Sequence, residues 1–188
     1  MSHPAAPTRP PRVYLTGFMG SGKSTVGPIL ANTLGYAYCD LDAVIEAQTG
    51  MTIASLFRDR GVEDFRRLEH DVFRKESGPE RIVVSLGGGA LTDPGTMAHA
   101  KATGVLVYLQ TPLDDIMLRL GKKADRPLLL APDGTLLEEG ALRDRVRALL
   151  AEREPAYLSA EVIVSTAGGN LGRTVDEIAR ELTRFLPH

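Results

Sequence analysis

Cysteine occurs once in this 188-residue chain, at Cys39, so no disulfide can form within it. A lone cysteine fits a reducing compartment, and the cytoplasm is the expected location. Cys39 itself reads as a small apolar residue at a strand end rather than a nucleophile. Excess charge of either sign is also missing: 22 Lys and Arg against 24 Asp and Glu leave a formal charge of −2. Without a basic footprint, nucleic acid is not an expected partner. No apolar run approaches the length of a membrane span, so no membrane partner is expected. The chain shows no internal repeat and no long linker. Residues 1–11 hold Pro4, Pro7, Pro10 and Pro11 with little apolar content, and a disordered N-terminal tail is expected there. That tail has neither the apolar centre of a secretory signal nor the arginine content of a transit peptide. Residues 12–188 remain, one domain of ordinary size. With 43% hydrophobic and 24% charged residues overall, the chain can bury a full core.

Strand and helix signals alternate, which predicts an α/β fold with a parallel sheet covered by helices. The strands are expected at Val13–Thr16, Ala37–Asp40, Ile82–Leu86, Val105–Leu109 and Val162–Val164. The first, third and fourth are rich in Val, Ile and Leu, as strands buried on both faces are. Helices are expected over Lys23–Leu34, Leu41–Gln48, Ile53–Asp59, Glu63–Glu76, Pro94–Ala100, Pro112–Gly121, Glu138–Glu152 and Thr174–Phe185. The segment from Lys122 to Gly140 has Arg126, two prolines, Gly134 and no clean period. It is expected to be a mobile lid.

Gly17-Phe18-Met19-Gly20-Ser21-Gly22-Lys23-Ser24 matches the phosphate-loop pattern G-x-x-x-x-G-K-[ST] at every fixed position. A β-type run precedes it and a helix beginning near Thr25 follows. That order surrounds an anion with backbone N–H groups. Chance would produce the fixed positions in roughly one per cent or fewer of chains this long. Lys23 would reach the β- and γ-phosphates, and the Ser24 hydroxyl would ligate Mg²⁺.

Further residues with chemical potential gather where strands end and helices begin, as sites in such folds do. Asp40-Leu41-Asp42 ends the second strand. Its two carboxylates can serve a metal water shell and a substrate hydroxyl, or a helix cap and a first-turn acid. Arg66 and Glu69, three apart on a helix, can pair. Gly87-Gly88-Gly89 directly after a strand lets backbone approach a ligand closely. Arg153-Glu154-Pro155-Ala156-Tyr157 closes the helix after the lid, with Pro155 expected to stop it. Arg119, Lys122, Lys123 and Arg126 form a basic cluster before the lid. Arginine suits flat carboxylates and phosphates because it binds them bidentately.

Taken in order, these motifs resemble the shikimate kinase family, from about Pro11 to Phe185. They are the phosphate loop, Asp40-x-Asp42, Phe65-Arg66-x-x-Glu69, Gly87-Gly88-Gly89, Arg126-Pro127-Leu128-Leu129 and Arg153-x-Pro155-x-Tyr157. The resemblance implies a three-layer, nucleoside-monophosphate-kinase-like phosphate-loop fold. It would have a five-stranded parallel sheet and a mobile lid near 122–140. It implies ATP-dependent phosphorylation of the 3-hydroxyl of shikimate on the route to chorismate and the aromatic amino acids, by a monomer. ATP contacts would come from Gly20, Ser21, Gly22, Lys23, Ser24, Thr25, Arg119, Arg126 and Asn170. Lys23 would bind the transferring phosphate, Arg126 would swing in with the lid, and Arg119 would lie against adenine beside the 165–171 loop. Ser24 and Asp40 would hold Mg²⁺, Asp40 through water. Asp42 would bind the shikimate hydroxyls and is the candidate to take the proton. Arg66 and Arg153 would grip the shikimate carboxylate, with Glu69 orienting Arg66. The backbone of Gly88 and Gly89 would meet a substrate hydroxyl.

Two features depart from the family pattern. The stretch from Arg126 to Arg153 is longer than usual, with Ala131-Pro132-Asp133-Gly134-Thr135 the extra material, and Leu171 stands where proline is expected. A gluconate kinase of the same fold would keep the phosphate loop without this pair of arginines. A non-catalytic nucleotide-binding module would have lost one of Lys23, Ser24, Asp40, Asp42 or Arg126, and all are present.

Overall fold

The computed structural model describes residues 12–120, 135 and 137–185. The expected tail and most of the expected lid, Arg126 included, lie outside the described residues. Five parallel strands form one sheet: β1 (Arg12–Thr16), β2 (Ala37–Asp40), β3 (Ile82–Ser85), β4 (Val105–Gln110) and β5 (Val162–Ser165), in the order β2-β3-β1-β4-β5. The helices are α1 (Lys23–Leu34), α2 (Leu41–Thr49), α3 (Ile53–Glu76), α4 (Pro94–Thr103), α5 (Leu113–Leu120), α6 (Glu139–Tyr157) and α7 (Leu171–Leu182).

Alternation along the strands builds two cores. Tyr14, Cys39, Ile82 and Val84 point to one face and pack with α2, α3 and α4. Val13, Leu15, Val83, Val105 and Val107 point to the other and pack with α1 and α7. Both faces are therefore apolar, which is why these strands read as continuous Val/Ile/Leu runs. Cys39 is buried, and desolvation pushes its thiol up to about 11, so it stays a neutral core residue. A third cluster joins Phe18 and Tyr108 to Ile116 of α5 and Val146 and Tyr157 of α6. It ties the phosphate-loop region to the helix after the expected lid.

The expected helix break near residue 60 occurs inside one long element. Gly61 (φ 80°, ψ 171°) interrupts α3 between the Ile53 and Glu63 halves. Pro155, expected to stop α6, lies inside it instead, and the helix runs on to Tyr157. A proline in the last turn removes only one intrahelical hydrogen bond, and burial of Tyr157 holds the turn in place. Leu171 is the first residue of α7, capped by Asn170. Proline is favoured there because that N–H lacks an intrahelical partner, so leucine gives up no hydrogen bond.

Pro28 sits inside α1, where it denies the Ser24 carbonyl its usual i+4 donor. It is exposed and touches no core cluster. Pro28→Ala should stabilise the protein by about 1–3 kcal/mol, the helix gain less the lost rigidity of the unfolded chain. Equilibrium urea unfolding measures this, and an unchanged or lower stability would refute the helix-interior cost.

Candidate active site

The loop after β1 turns sharply into α1. Gly17 has φ 142°, and a Cβ there would meet the Leu109 carbonyl oxygen at 2.8 Å. Gly22 caps α1 in the left-handed conformation (φ 98°, ψ 13°), and its carbonyl accepts from Thr25 N (3.0 Å) and Val26 N (2.8 Å). Both fixed glycines of the motif are thus demanded by backbone shape. Lys23 Nζ donates to the carbonyls of Gly17 (2.7 Å) and Phe18 (3.2 Å), which holds the ammonium against the loop. Ser24 and Thr25 are exposed on the first turn of α1, while Ser21 is buried with an unpartnered Oγ. Gly20 accepts from Arg119 Nη1 (2.9 Å), whose Nη2 donates to the Thr166 carbonyl (3.2 Å). Arg119 therefore bridges the loop after β1 and the loop after β5. Asn170, on that second loop, spends its side-chain oxygen capping α7 at Arg173 N (3.0 Å), and its carbonyl accepts from Thr174 N (3.1 Å) and Thr174 Oγ1 (3.0 Å).

Asp40 and Asp42 separate. Asp40 does cap α2, accepting from Ala43 N at 3.4 Å. It also lies in register with Ser85 at the end of β3, and Tyr38 Oη stands 3.4 Å from its Oδ2. Asp42, in the first turn of α2, has different neighbours. A Cβ at Gly87 would stand 3.1 Å from Asp42 Oδ1 and inside contact distance of Glu69 Oε1. Asp40 as helix cap and Asp42 as first-turn acid thus match the cap reading of Asp-x-Asp.

Gly87-Gly88-Gly89 makes room for the protein's own side chains. A Cβ at Gly89 would collide with the Arg66 guanidinium, and one at Gly88 would sit 3.7 Å from Arg153 Nη1 and 3.5 Å from Met19 N. Two guanidinium groups from distant helices thus meet one glycine segment, which itself abuts the phosphate loop. Arg66 is ion-paired with Glu69 and lies over the Phe57 and Phe65 rings (5.6 and 5.4 Å to the centroids). Arg153 lies over the Phe18 ring (5.7 Å), and its Nη1 reaches the Gly88 carbonyl at 3.4 Å. The buried Tyr157 donates its hydroxyl to that same carbonyl. The Gly88 oxygen is therefore held by α6.

Glu69 is 1% exposed, and its Oε1 has no hydrogen-bond partner. Burial pushes its carboxyl up to about 7, against the pull of Arg66 and with help from the charges of Asp42 and Asp93. Such a raised acid favours the fold fully below pH 4.5, and the gain is lost as the pH climbs through 7.

Sequence reasoning found the phosphate loop, both arginines, Glu69 and the triple glycine. It missed Tyr38, Ser85 and the cation–π support from Phe18, Phe57 and Phe65. Tyr157 belongs to the Arg153-x-Pro155-x-Tyr157 motif, and its hydrogen bond to Gly88 is visible only in the fold. Period-2 alternation on β2 was a usable signal, because it puts Tyr38 on the face of Asp40.

Two outcomes are expected. Gly89→Ala should fold, because the atom it displaces is the far end of the flexible Arg66 side chain. It should raise the KM of a carboxylate acceptor about tenfold or more while changing that of the nucleotide by less than about twofold. Steady-state kinetics with each substrate varied in turn test this, and equal effects on both would refute it. Glu69→Gln should lessen the fall in thermal stability between pH 5 and pH 8, since it removes a buried charge. A variant with the parent's pH slope would show that Glu69 titrates normally.

The shikimate kinase family model matches residues 19–186. A shikimate kinase of Chlorobium phaeobacteroides is 45% identical over 174 residues, covering 93% of this chain and 92% of that protein. The solved structure of a shikimate kinase from Acinetobacter baumannii in complex with shikimate superposes with a TM-score of 0.83 at 33% identity, covering 94% of each chain. A gluconokinase from Sinorhizobium meliloti has a TM-score of 0.60 at 20% identity and covers 94% of each chain, a likeness of fold alone. With the motif order, the parallel five-stranded sheet and the paired arginines already in place, these matches show that the chain belongs to the shikimate kinase family.

Proposed function

We propose that this protein transfers the γ-phosphoryl group of ATP to the 3-hydroxyl of shikimate, giving shikimate 3-phosphate and ADP. The observation that carries the reading is the convergence of Arg66 and Arg153 on the Gly87–Gly89 segment beside the phosphate loop. Two guanidinium groups suit a small carboxylate acceptor, and their stacking on Phe18, Phe57 and Phe65 fixes where they point.

In this reading the acceptor oxygen attacks the γ-phosphorus, the bond to the β–γ bridging oxygen breaks, and Asp42 takes the hydroxyl proton. Transfer of this kind asks for positioning and charge neutralisation more than covalent chemistry. Lys23 neutralises the migrating group from the loop side. Gly20, Ser21, Gly22, Ser24 and Thr25 cradle the phosphates. Arg119 and Asn170 border the adenine. Glu69 orients Arg66, and the backbone of Gly88 and Gly89 meets a substrate hydroxyl. Arg126, outside the described residues, would close on the phosphates with the 122–140 lid.

Ser24, with Asp40 through water, would hold Mg²⁺. The donor set there is all oxygen, with Ser85 alongside, which suits a hard cation that keeps several waters. When bound, the ion neutralises charge on the β- and γ-phosphates. The reading extends to a monomer in the cytoplasm. Its single domain spans 12–188 behind a short tail, and neither nucleic acid nor membrane is a partner. No helix among the described residues is long and apolar enough to cross a membrane.

The direct test is ADP release from Mg·ATP with shikimate, with gluconate and with neither. Release that requires shikimate is expected. Release with gluconate alone, or without an acceptor, would overturn the assignment. Arg153→Ala should cost shikimate use on the order of 2–5 kcal/mol in kcat/KM, with little change in the KM for ATP. Equal losses for both substrates would assign Arg153 to the fold instead.

A further inference from the structure

Beyond the residues assigned above, a polar cluster lies under the first turns of α1. Tyr38, Asp40 and Ser85 share the α1 face of the sheet, because Tyr38 and Asp40 are two apart on β2 and Asp40 pairs in register with Ser85. Tyr38 Oη is 3.1 Å from Ser85 Oγ and 3.4 Å from Asp40 Oδ2. The ring reaches this position only because residue 27 is glycine. A Cβ at Gly27 would collide with the Tyr38 ring and lie 3.1 Å from its hydroxyl oxygen. Gly27 follows Ser24 by one helical turn, so the phenol end is packed beside the turn that carries Ser24.

We propose that Tyr38 is a positioning residue for the metal side of this kinase: its hydroxyl orients the Asp40 carboxylate and the Ser85 hydroxyl toward the water shell of the Mg²⁺ held at Ser24. The inference rests on the reading of Ser24 and Asp40 given above. Asp40 has two oxygens with different duties. Oδ1 accepts from Ala43 N as the cap of α2, and Oδ2 is the one near Tyr38. One phenol proton serves two neighbours. When it is donated to Asp40, Ser85 can donate to the phenol oxygen, and the chain Ser85–Tyr38–Asp40 is polarised in one direction. That arrangement leaves Ser85 lone pairs facing outward and holds the carboxylate plane fixed. A phenylalanine would fill the same space against Gly27 and supply no donor.

The test is ADP binding by titration calorimetry in saturating Mg²⁺ and in EDTA, on the parent, Tyr38→Phe and Ser85→Ala. Steady-state Mg²⁺ dependence is measured in parallel. In Tyr38→Phe the strengthening of ADP binding by Mg²⁺ should shrink roughly tenfold, the scale of one hydrogen bond to a charged group. Affinity in EDTA and the KM for shikimate should stay within about twofold of the parent. Ser85→Ala should move in the same direction. Equal weakening with and without Mg²⁺ would mean that Tyr38 supports the fold or the loop, and an unchanged Mg²⁺ effect would mean that it does not orient Asp40. Either result overturns the proposal while leaving the kinase assignment standing. A parent protein whose ADP binding ignores Mg²⁺ would instead overturn the metal reading of Ser24 and Asp40, and this proposal with it.

Discussion

Close approach at Gly87-Gly88-Gly89 is the constraint on which the rest of the site depends. The phosphate loop, α3 and α6 all reach this one segment, and the α3 side chains Glu69 and Arg66 do so at distances that a side chain at Gly87 or Gly89 would forbid. Gly87 gives space to Glu69 and Asp42, Gly89 to the Arg66 guanidinium, and Gly88 borders Met19 N and Arg153. Its position follows from the strand order. β3 lies next to β1, so the loop after β3 must emerge beside the loop after β1. The glycine segment and the phosphate loop are neighbours because their strands are.

Alternation on a four-residue strand divides the remaining labour. Tyr38 and Asp40 take the α1 face of β2, and Cys39 takes the α2–α3 face. The chain then turns into α2, so Asp42, only two residues on, is redirected toward Glu69 and the glycine segment. Two carboxylates close in sequence end up serving different neighbourhoods. A one-residue slip of β2 would exchange these faces and bury the Asp40 carboxylate among Ile45, Leu56 and Phe73.

Several groups here are arranged at a cost to the fold. Glu69 is almost completely buried, with one oxygen unpartnered and a carboxyl that burial has made a weaker acid. An apolar residue would pack there more cheaply. What the charge contributes is direction: it fixes Arg66 over the Phe57 and Phe65 rings, facing the glycine segment. Pro28 within α1 adds a further local conflict near the phosphate loop. Conflicts between local preference and overall fold concentrate at such functional places.

The architecture and the motifs that line the candidate site were legible in the amino-acid pattern. Periodicity and turn chemistry gave five strands and the helices between them to within a few residues at each end. The phosphate loop, Arg66, Glu69, Arg153 and the glycine run were legible because each lies in a contiguous motif. The tertiary structure decided whatever depended on contacts between separate elements. It used Gly87 and Gly89 to admit Glu69 and Arg66, carried α6 past Pro155 to bury Tyr157, and drew together Tyr38 and Ser85, 47 residues apart on neighbouring strands. Local patterns report backbone preference and the polarity of a face. They carry no record of which side chain will stand across the gap, because that is fixed only when the sheet order and register close.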